Sequence, residues 1–140
     1  HTTLFRSIDF HLETQNGPLL VLCDDHQIRQ MFTNLIQNSI DSITARENNG
    51  NLDKGIVKIK TSIKSNFCHL KIIDNGIGLP TEISNRLTEP YVTTREKGTG
   101  LGLAIVAKIV EDHGGILKIQ DVSEQESGVV VTITIPLVET

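Results

Sequence analysis

The chain has 140 residues, of which 38% are hydrophobic and 21% are charged, and its formal net charge at pH 7 is -4. This length and composition are typical of one globular domain with its own core, so we expect residues 1–140 to form a single domain. The acidic balance argues against a general nucleic-acid surface, which is normally basic, but it allows a local positive cluster that binds polyphosphate.

The two cysteines, Cys23 and Cys68, lie in apolar runs, so we expect reduced thiols and a cytoplasmic chain. The histidines are scattered, and no Cys/His spacing is typical of a metal site. No apolar run approaches the roughly 20 residues that span a bilayer, and we expect no membrane contact by this domain itself. Nothing in the sequence excludes an anchor outside this segment.

The first part of the chain predicts two short strands and a turn. A weak strand pattern lies around residues 7–12, and residues 15–18 are typical of a turn. Residues 19–23 are a short apolar run that predicts a second strand. The two aspartates that follow this run can each cap a helix that begins near His26.

The helix that begins near His26 has the clearest periodicity in the chain. Its stripe, spaced as one helical face requires, consists of Ile28, Met31, Phe32, Leu35, Ile36, Ser39, Ile40 and Ile43. Asn34 and Asn38 lie one turn apart at the edge of that stripe, with Asp41 just beyond them. Amide oxygens in such a place suit Mg²⁺, which prefers oxygen ligands and takes part of its shell from substrate phosphates. A single asparagine there would be an ordinary solvated residue, whereas two in register favour a site.

Residues 45–55 are polar and rich in Asn and Gly, which predicts a loop. Two segments with strict alternation follow, at 56–64 and 67–74. We expect them to pair as antiparallel strands across Ser65 and Asn66.

Asp74 ends the second of these strands and opens a turn that contains two glycines. The alternation places its carboxylate on the apolar side of the strand, with Leu70 and Ile72. Gly76 and Gly78 let the backbone turn tightly and leave room for a flat group. A buried carboxylate beside such a slot can accept a hydrogen bond from an amino group on a planar ring. The alternative is an ordinary turn in which Asp74 caps the next segment.

A polar segment at residues 89–100 follows a short helix predicted at 81–87. It contains a proline and has little to bury, so we interpret it as a lid. Its side chains that suit a triphosphate are Thr93, Thr94, Arg95 and Lys97. The alternative is a solvated loop without a ligand.

Glycines at 98, 100 and 102 open into a helix predicted to run to about His113, where two further glycines end it. Such a helix start exposes backbone N–H groups and the positive end of the helix dipole to phosphate. The spacing matches neither the dinucleotide fingerprint nor a P-loop, and the chain lacks the His-Arg-Asp loop of eukaryotic-type protein kinases. Residues 116–120 and 129–136 predict two more strands, separated by an acidic turn.

Four segments, in this order, resemble the ATP-binding domain of bacterial sensor histidine kinases, within the superfamily shared with gyrase, Hsp90 and MutL. They are similar to that family's N box at residues 34–39, G1 box at 74–79, F box at 89–94 and G2 box at 98–103. The resemblance covers about residues 19–136 and is greatest to the nitrogen-regulation kinases of the NtrB/NtrY type. It implies a two-layer α/β sandwich, the Bergerat ATP-binding fold, with helices on one face of a mixed, mostly antiparallel sheet.

The resemblance also implies roles for individual residues. Asp74 would accept a hydrogen bond from the adenine amino group, Asn38 would bind Mg²⁺, and Asn34 would support the phosphates or the metal. The implied nucleotide-binding residues are Asn34, Asn38, Asp41, Asp74, Gly76, Ile77, Gly78, Tyr91, Thr93, Thr94, Arg95, Lys97, Gly98, Thr99, Gly100, Leu101, Gly102, Leu103 and Thr132. Two positions depart from the family pattern: Asp41 stands where many relatives have a lysine, and Val129 stands where a threonine often contacts adenine through water.

The function implied is to bind Mg·ATP and donate its γ-phosphate to a histidine on a separate dimerisation domain, for relay to an aspartate of a response regulator. His1 and His11 lack the helical context of such a histidine, so we expect no catalytic residue in this chain and no autophosphorylation by it alone. With an anchor upstream, the domain would be the cytoplasmic part of a membrane-anchored sensor. The alternatives are a nucleotide-sensing interaction module that transfers no phosphate and an ATPase of the gyrase or MutL kind.

Overall fold

The computed structural model describes residues 7–15, 17, 20–79, 99–123 and 125–138, with the side chains of 99–102 left undescribed. In chain order the elements are β1 (Ile8–Thr14), α1 (Asp25–Asn48), β2 (Gly55–Lys64), β3 (Phe67–Asp74), α2 (Thr99–Asp112), β4 (Ile116–Asp121) and β5 (Val129–Pro136). The predicted helix at 81–87 and the predicted lid up to residue 98 lie outside the described residues.

The five strands form one mixed sheet with the order β1-β2-β3-β5-β4. β1 runs parallel to β2, and each of the other neighbouring pairs is antiparallel. Ser65 and Asn66, both with positive φ angles, make the two-residue connection between β2 and β3. Successive positive φ angles match the right-handed twist of a tight hairpin, so the predicted hairpin is confirmed.

Both helices cover the same face of the sheet, and the core lies between the two layers. Strand residues alternate between this face and the open face. The register places the buried residues of β2, β3, β5 and β4 side by side on the helix face. The core includes Met31, Leu35 and Ile43 of α1, Val106 and Val110 of α2, and Val57, Leu70, Ile72, Leu117, Ile119, Val131 and Ile133 of the sheet. Each large side chain removed from water in this way stabilises the fold by roughly 1.5–3 kcal/mol. The predicted two-layer α/β sandwich is confirmed.

The end of α1 corrects the loop predicted at residues 45–55. The helix continues to Asn48, because Arg46 in its last turn is buried at 6% exposure and donates from Nη2 to the carbonyl oxygen of Asp53, at 2.6 Å. Gly55 opens β2 instead of belonging to the loop. A Cβ there would lie 2.8 Å from Ile43 Cγ2, so the strand approaches the helix at a distance that only glycine allows.

The strand predicted at residues 19–23 is wrong over its described part, since residues 20–23 have no strand structure. Leu20 and Leu22 are 68% and 86% exposed, and of this run only Val21 packs against the core. The carbonyl oxygen of Leu20 instead accepts a hydrogen bond from the N–H of Val138, at 3.1 Å.

Candidate functional site

A buried carboxylate lies at the end of β3 on the helix side of the sheet. Asp74 is 6% exposed, and its Oδ1 accepts hydrogen bonds from the backbone N–H groups of Gly76, at 2.9 Å, and Val129, at 3.3 Å. The side chains of Ser39 and Ser42, on α1, also favour its charged form. The predicted position of Asp74 on the apolar side of its strand is confirmed.

Two opposing effects act on the charge of this carboxylate: burial disfavours the ionised form, and hydrogen bonds favour it. Burial raises the pKa of Asp74 above its ordinary value, while the hydrogen bonds from the two backbone N–H groups and the two serines lower it. Burial is the larger effect. An ionised carboxylate in this place is therefore a strong acceptor for a further donor, because no bulk water competes for it.

The turn after Asp74 is attached directly to α1. A Cβ at Gly76 would lie 2.1 Å from Ser42 Oγ and 2.6 Å from the Ser42 carbonyl carbon, so only glycine fits. The N–H of Ile77 donates to the Ser42 carbonyl oxygen at 3.0 Å and to Ser42 Oγ at 3.1 Å. Gly78 has a φ of +87°, which a residue with a side chain rarely adopts. The turn is therefore held open in one conformation beside the carboxylate.

The two asparagines of α1 share one line of the helix with Ser42. Asn38 lies one turn, about 6 Å along the axis, before Ser42, and Asn34 lies one turn further. Both are half-buried, and Asn38 has a buried Nδ2 with no hydrogen-bond partner among the residues described here. Asn38 thus lies one helical turn from Ser42, which is bonded to the turn after Asp74, and its amide nitrogen has no partner among the described residues.

The other predicted site residues make no hydrogen bond to the Asp74 carboxylate among the residues that the structure describes. Asp41 is exposed and accepts a hydrogen bond from Gln37 Nε2 at 2.9 Å, so it turns towards solvent along α1. Ile77 is 44% exposed beside the turn, and Leu103 of α2 packs against the core. The predicted helix is confirmed, and it begins within the glycine run, at Thr99. Residues outside the described part of the chain are Tyr91, Thr93, Thr94, Arg95, Lys97 and Gly98, and no side-chain position is described for Thr99, Gly100, Leu101 and Gly102.

Thr132 does not belong to this group. Its neighbours Val131 and Ile133 are buried against the helices, so strand alternation puts Thr132 on the opposite face of the sheet. The β5 residue that contacts Asp74 is Val129, three positions earlier, and it does so through its backbone N–H. The odd separation of three residues explains the wrong face.

Three residues that hold the turn in place were not predicted from the sequence. Ser42 accepts twice from the Ile77 N–H. Asn75 fixes the turn to β2 by accepting from the Ile56 N–H and donating to the Lys54 carbonyl oxygen, both at 2.8 Å. Asp121 accepts from the Leu79 N–H at 2.9 Å. Ser42 could have been found from its place one turn beyond Asn38. The partners of Asn75 and Asp121 depend on the sheet order, which has no local signal.

Two hollows among the described residues lie away from this group. One, of about 590 Å³, is between the start of α1 and the end of α2 and includes Asp24 and His113. The other, of about 280 Å³, is apolar and lies between Met31 and the sheet. Neither includes Asp74 or Asn38, so the site is defined here by its contacts and by the unpartnered amide of Asn38.

The comparisons with known proteins agree with this geometry. A model of the histidine kinase-, DNA gyrase B- and HSP90-like ATPase family matches residues 23–139, and the chain belongs to this family. The nitrogen regulation protein NtrY of Azorhizobium caulinodans is 46% identical over 101 residues, which are 72% of this chain and 13% of that protein. The nucleotide-free catalytic domain of histidine kinase ThkA is 34% identical, with a TM-score of 0.71 over 93% of this chain and 80% of that one. A structure of ThkA in complex with the response regulator protein TrrA also matches, at 32% identity and a TM-score of 0.68, covering 94% of this chain and 34% of that one.

Within that family the chain is a nucleotide-binding catalytic domain of the sensor histidine kinase type, similar in sequence to NtrY-like proteins. It spans only 13% of the length of the NtrY relative. Among the residues that the structure describes, no helix is long and apolar enough to cross a membrane.

Proposed function

We propose that this chain is the catalytic domain of a sensor histidine kinase that binds Mg·ATP and presents its γ-phosphate to a histidine on a separate dimerisation domain. The phosphate would then pass to an aspartate of a response regulator. The observation that carries the proposal is the buried carboxylate of Asp74, which accepts from two backbone N–H groups beside a turn that is bonded to Ser42, one helical turn after Asn38.

Asp74 supplies the means to recognise adenine. A carboxylate held by backbone donors from the turn and from β5 offers an acceptor at a fixed point. The exocyclic amino group of adenine is a donor of matching size. The close approach of Gly76 to Ser42 fixes the turn against α1, and the base would lie beside this turn.

Asn38 supplies a ligand for the metal. Among the described residues no group of three or more His, Cys, Asp or Glu side chains is arranged to hold a metal. Mg²⁺ bound with a nucleotide fits such a site, because it needs one or two protein oxygens and takes the rest of its shell from phosphate and water. The amide oxygen of Asn38, supported by Asn34, would hold the ion, which when bound supplies neutralisation of phosphate charge, while the Asn38 NH₂ group would remain free to donate a hydrogen bond.

The remaining components follow from the helix α2 and the lid predicted at 89–100. The first turn of α2 leaves backbone N–H groups without partners inside the helix, and these suit phosphate oxygens. Phosphoryl transfer depends mainly on positioning and charge neutralisation, so a domain that binds and orients ATP needs no nucleophile of its own. The structure of ThkA with TrrA supports a response regulator as the final acceptor, since that relative is 32% identical.

The proposal is tested by joining this chain to the upstream segment of its own protein and incubating the product with Mg·ATP. We expect phosphate that is labile in acid and stable in base, as on histidine, in the joined protein but not in the 140-residue chain alone. Binding of ATP without phosphohistidine in the joined protein would favour a nucleotide-sensing module. Rapid ATP hydrolysis by this chain alone, with nucleotide-dependent dimerisation, would favour an ATPase of the gyrase or MutL kind.

A further inference from the structure

The open face of the sheet, on the side away from the helices, is rich in lysine. Strand alternation and register place five lysines there, and we call them the lysine face: Lys58, Lys60 and Lys64 of β2, Lys71 of β3 and Lys118 of β4. The chain as a whole has a net charge of -4, so positive charge is concentrated on one side of an acidic protein.

Three of these lysines lie in one row across four neighbouring strands. Lys60 is directly opposite Lys71, Lys71 is opposite Thr132, and Thr132 is opposite Lys118. Strands are about 4.8 Å apart, so the row is roughly 14 Å long. Like charges directly opposite each other destabilise a sheet, so the pairing of Lys60 with Lys71 has a cost.

The lysine face has few acids to neutralise it. The acidic strand residues on this side are Asp9 and Glu13, both on the edge strand β1, where Glu13 lies 3.7 Å from Lys60 Nζ and Asp9 lies 3.7 Å from Lys54 Nζ. Within the described part of the chain, no ion pair or side-chain hydrogen bond is recorded for the other four lysines of the face. Their charges are therefore available to a partner.

The side chains between the lysines are small or medium-sized and do not project beyond them. Ile73, Val130, Thr132 and Thr134 are half-buried there, while Phe67 and Ile116 stand at the rim, 39% and 65% exposed. Spaced ammonium groups over such a surface suit carboxylates presented at similar spacing, with a few apolar contacts at the edge.

We propose that the lysine face docks an acidic surface of a partner protein. The lysine face measures roughly 14 by 20 Å, an area of about 280 Å². A stable complex buries ~800 Å² on each partner, so binding to this face is transient and steered by charge. A bilayer or a long nucleic acid would extend past the face and meet Asp9, Glu13 and the acidic remainder of the molecule. A compact acidic protein surface avoids them.

The probe for this proposal is a 12-residue peptide of alternating Glu and Thr, titrated into the labelled 140-residue chain at 50 mM salt while amide NMR shifts are followed. We expect shifts confined to β2, β3, β4 and β5, and binding that weakens several-fold at 200 mM salt because the interaction is screened. Lys71→Glu combined with Lys118→Glu should weaken binding at least tenfold.

The matched control is Arg29→Glu combined with Lys108→Glu, which makes the same change in net charge on the helix layer, where both side chains are exposed and paired with aspartates. Its binding should stay within twofold of wild type, and both double variants should keep wild-type affinity for Mg·ATP, which shows that they fold. Equal losses in the two double variants would overturn the proposal, as would no binding at 50 mM salt. Tighter binding to phosphatidylserine vesicles or to a 20-base-pair DNA duplex would overturn it in favour of that partner.

Discussion

The two faces of the sheet differ in the sign and the burial of the charges that they carry. On the helix side, the carboxylate of Asp74 is buried and accepts hydrogen bonds from fixed backbone donors on β5 and on its own turn. On the open side, five lysines stand in solvent with acids only along the β1 edge. The Asp74 carboxylate is preorganised to accept from one small donor group, whereas the lysine face gives a diffuse positive field. One sheet therefore carries a specific ligand site on its helix side and a less specific electrostatic surface on its open side.

The largest expected effect comes from adding a side-chain atom on the helix side, where the turn after Asp74 contacts α1. Gly76→Ala puts a Cβ 2.1 Å from Ser42 Oγ and close to the helix backbone, so the turn must move away from α1. We expect a loss of about 3 kcal/mol in the free energy of unfolding, measured by urea denaturation. The control is Gly50→Ala, at a position with a φ of +98° but with no atoms nearby, where only backbone strain of about 1 kcal/mol applies. Equal losses in the two variants would mean that the turn does not depend on its contact with α1.

The next effect concerns the metal. Asn38→Ala should weaken Mg·ATP binding roughly tenfold, or about 1.4 kcal/mol, and leave ATP binding in excess EDTA almost unchanged. The reason is that the amide would ligate Mg²⁺ and not the nucleotide itself. Calorimetry in both buffers measures the difference, with Asn48→Ala at the exposed end of the same helix as the control. An equal loss with and without Mg²⁺ would contradict a role as a metal ligand.

A smaller effect tests the buried charge through pH. Because the folded pKa of Asp74 is raised, its contribution to stability is fully present below the pKa of the unfolded chain and is lost as pH rises through the folded pKa. Asp74→Asn removes this titration while its amide oxygen can still accept from Gly76 and Val129. The wild type should therefore gain stability relative to the variant as pH falls from 7 towards 4, in parallel urea titrations. A relative gain for the variant over that range would reverse the assigned sign.

The smallest effect is on the open side. Lys71→Thr removes one member of the opposed pair Lys60 and Lys71 and adds a β-branched residue, so it should stabilise the chain by about 0.2–1 kcal/mol at low salt, with less gain at high salt. Lys108→Thr is the control, because Lys108 lies 3.0 Å from Asp112 on α2 and its loss relieves no repulsion. A destabilised Lys71→Thr variant would mean that the lysine face is not repulsive.

Much of the fold follows from local patterns in the sequence. Period-two alternation in β3 places Asp74 correctly, because a strand with one buried face allows no slip in its register. Periodicity places α1 equally well, and its N-cap is Asp24, one of the two aspartates expected to serve. The end of α1 was missed, because the reason for it is a hydrogen bond from Arg46 to Asp53 and not the composition of the segment.

The site and the lysine face required knowledge of tertiary pairing. Thr132 was included among the implied nucleotide-binding residues, but strand alternation places it on the open face of the sheet. Ser42 and Asp121 reach the turn only because α1 and β4 lie beside it. Alternation shows the lysines of β2 on one side, but only the strand order brings Lys118 into their row.

The most direct test of the account is whether Asp74 recognises the amino group of adenine. Calorimetry would compare ATP with inosine triphosphate, which has a carbonyl oxygen in place of that amino group, on wild type, Asp74→Asn and the exposed control Asp112→Asn. We predict that wild type and the control bind ATP at least tenfold more tightly, consistent with the roughly 1–3 kcal/mol lost when a buried acceptor has no donor. In Asp74→Asn the preference should vanish or reverse, because an amide can donate to the inosine oxygen. The same preference for ATP in all three proteins, or none in wild type, would contradict the account.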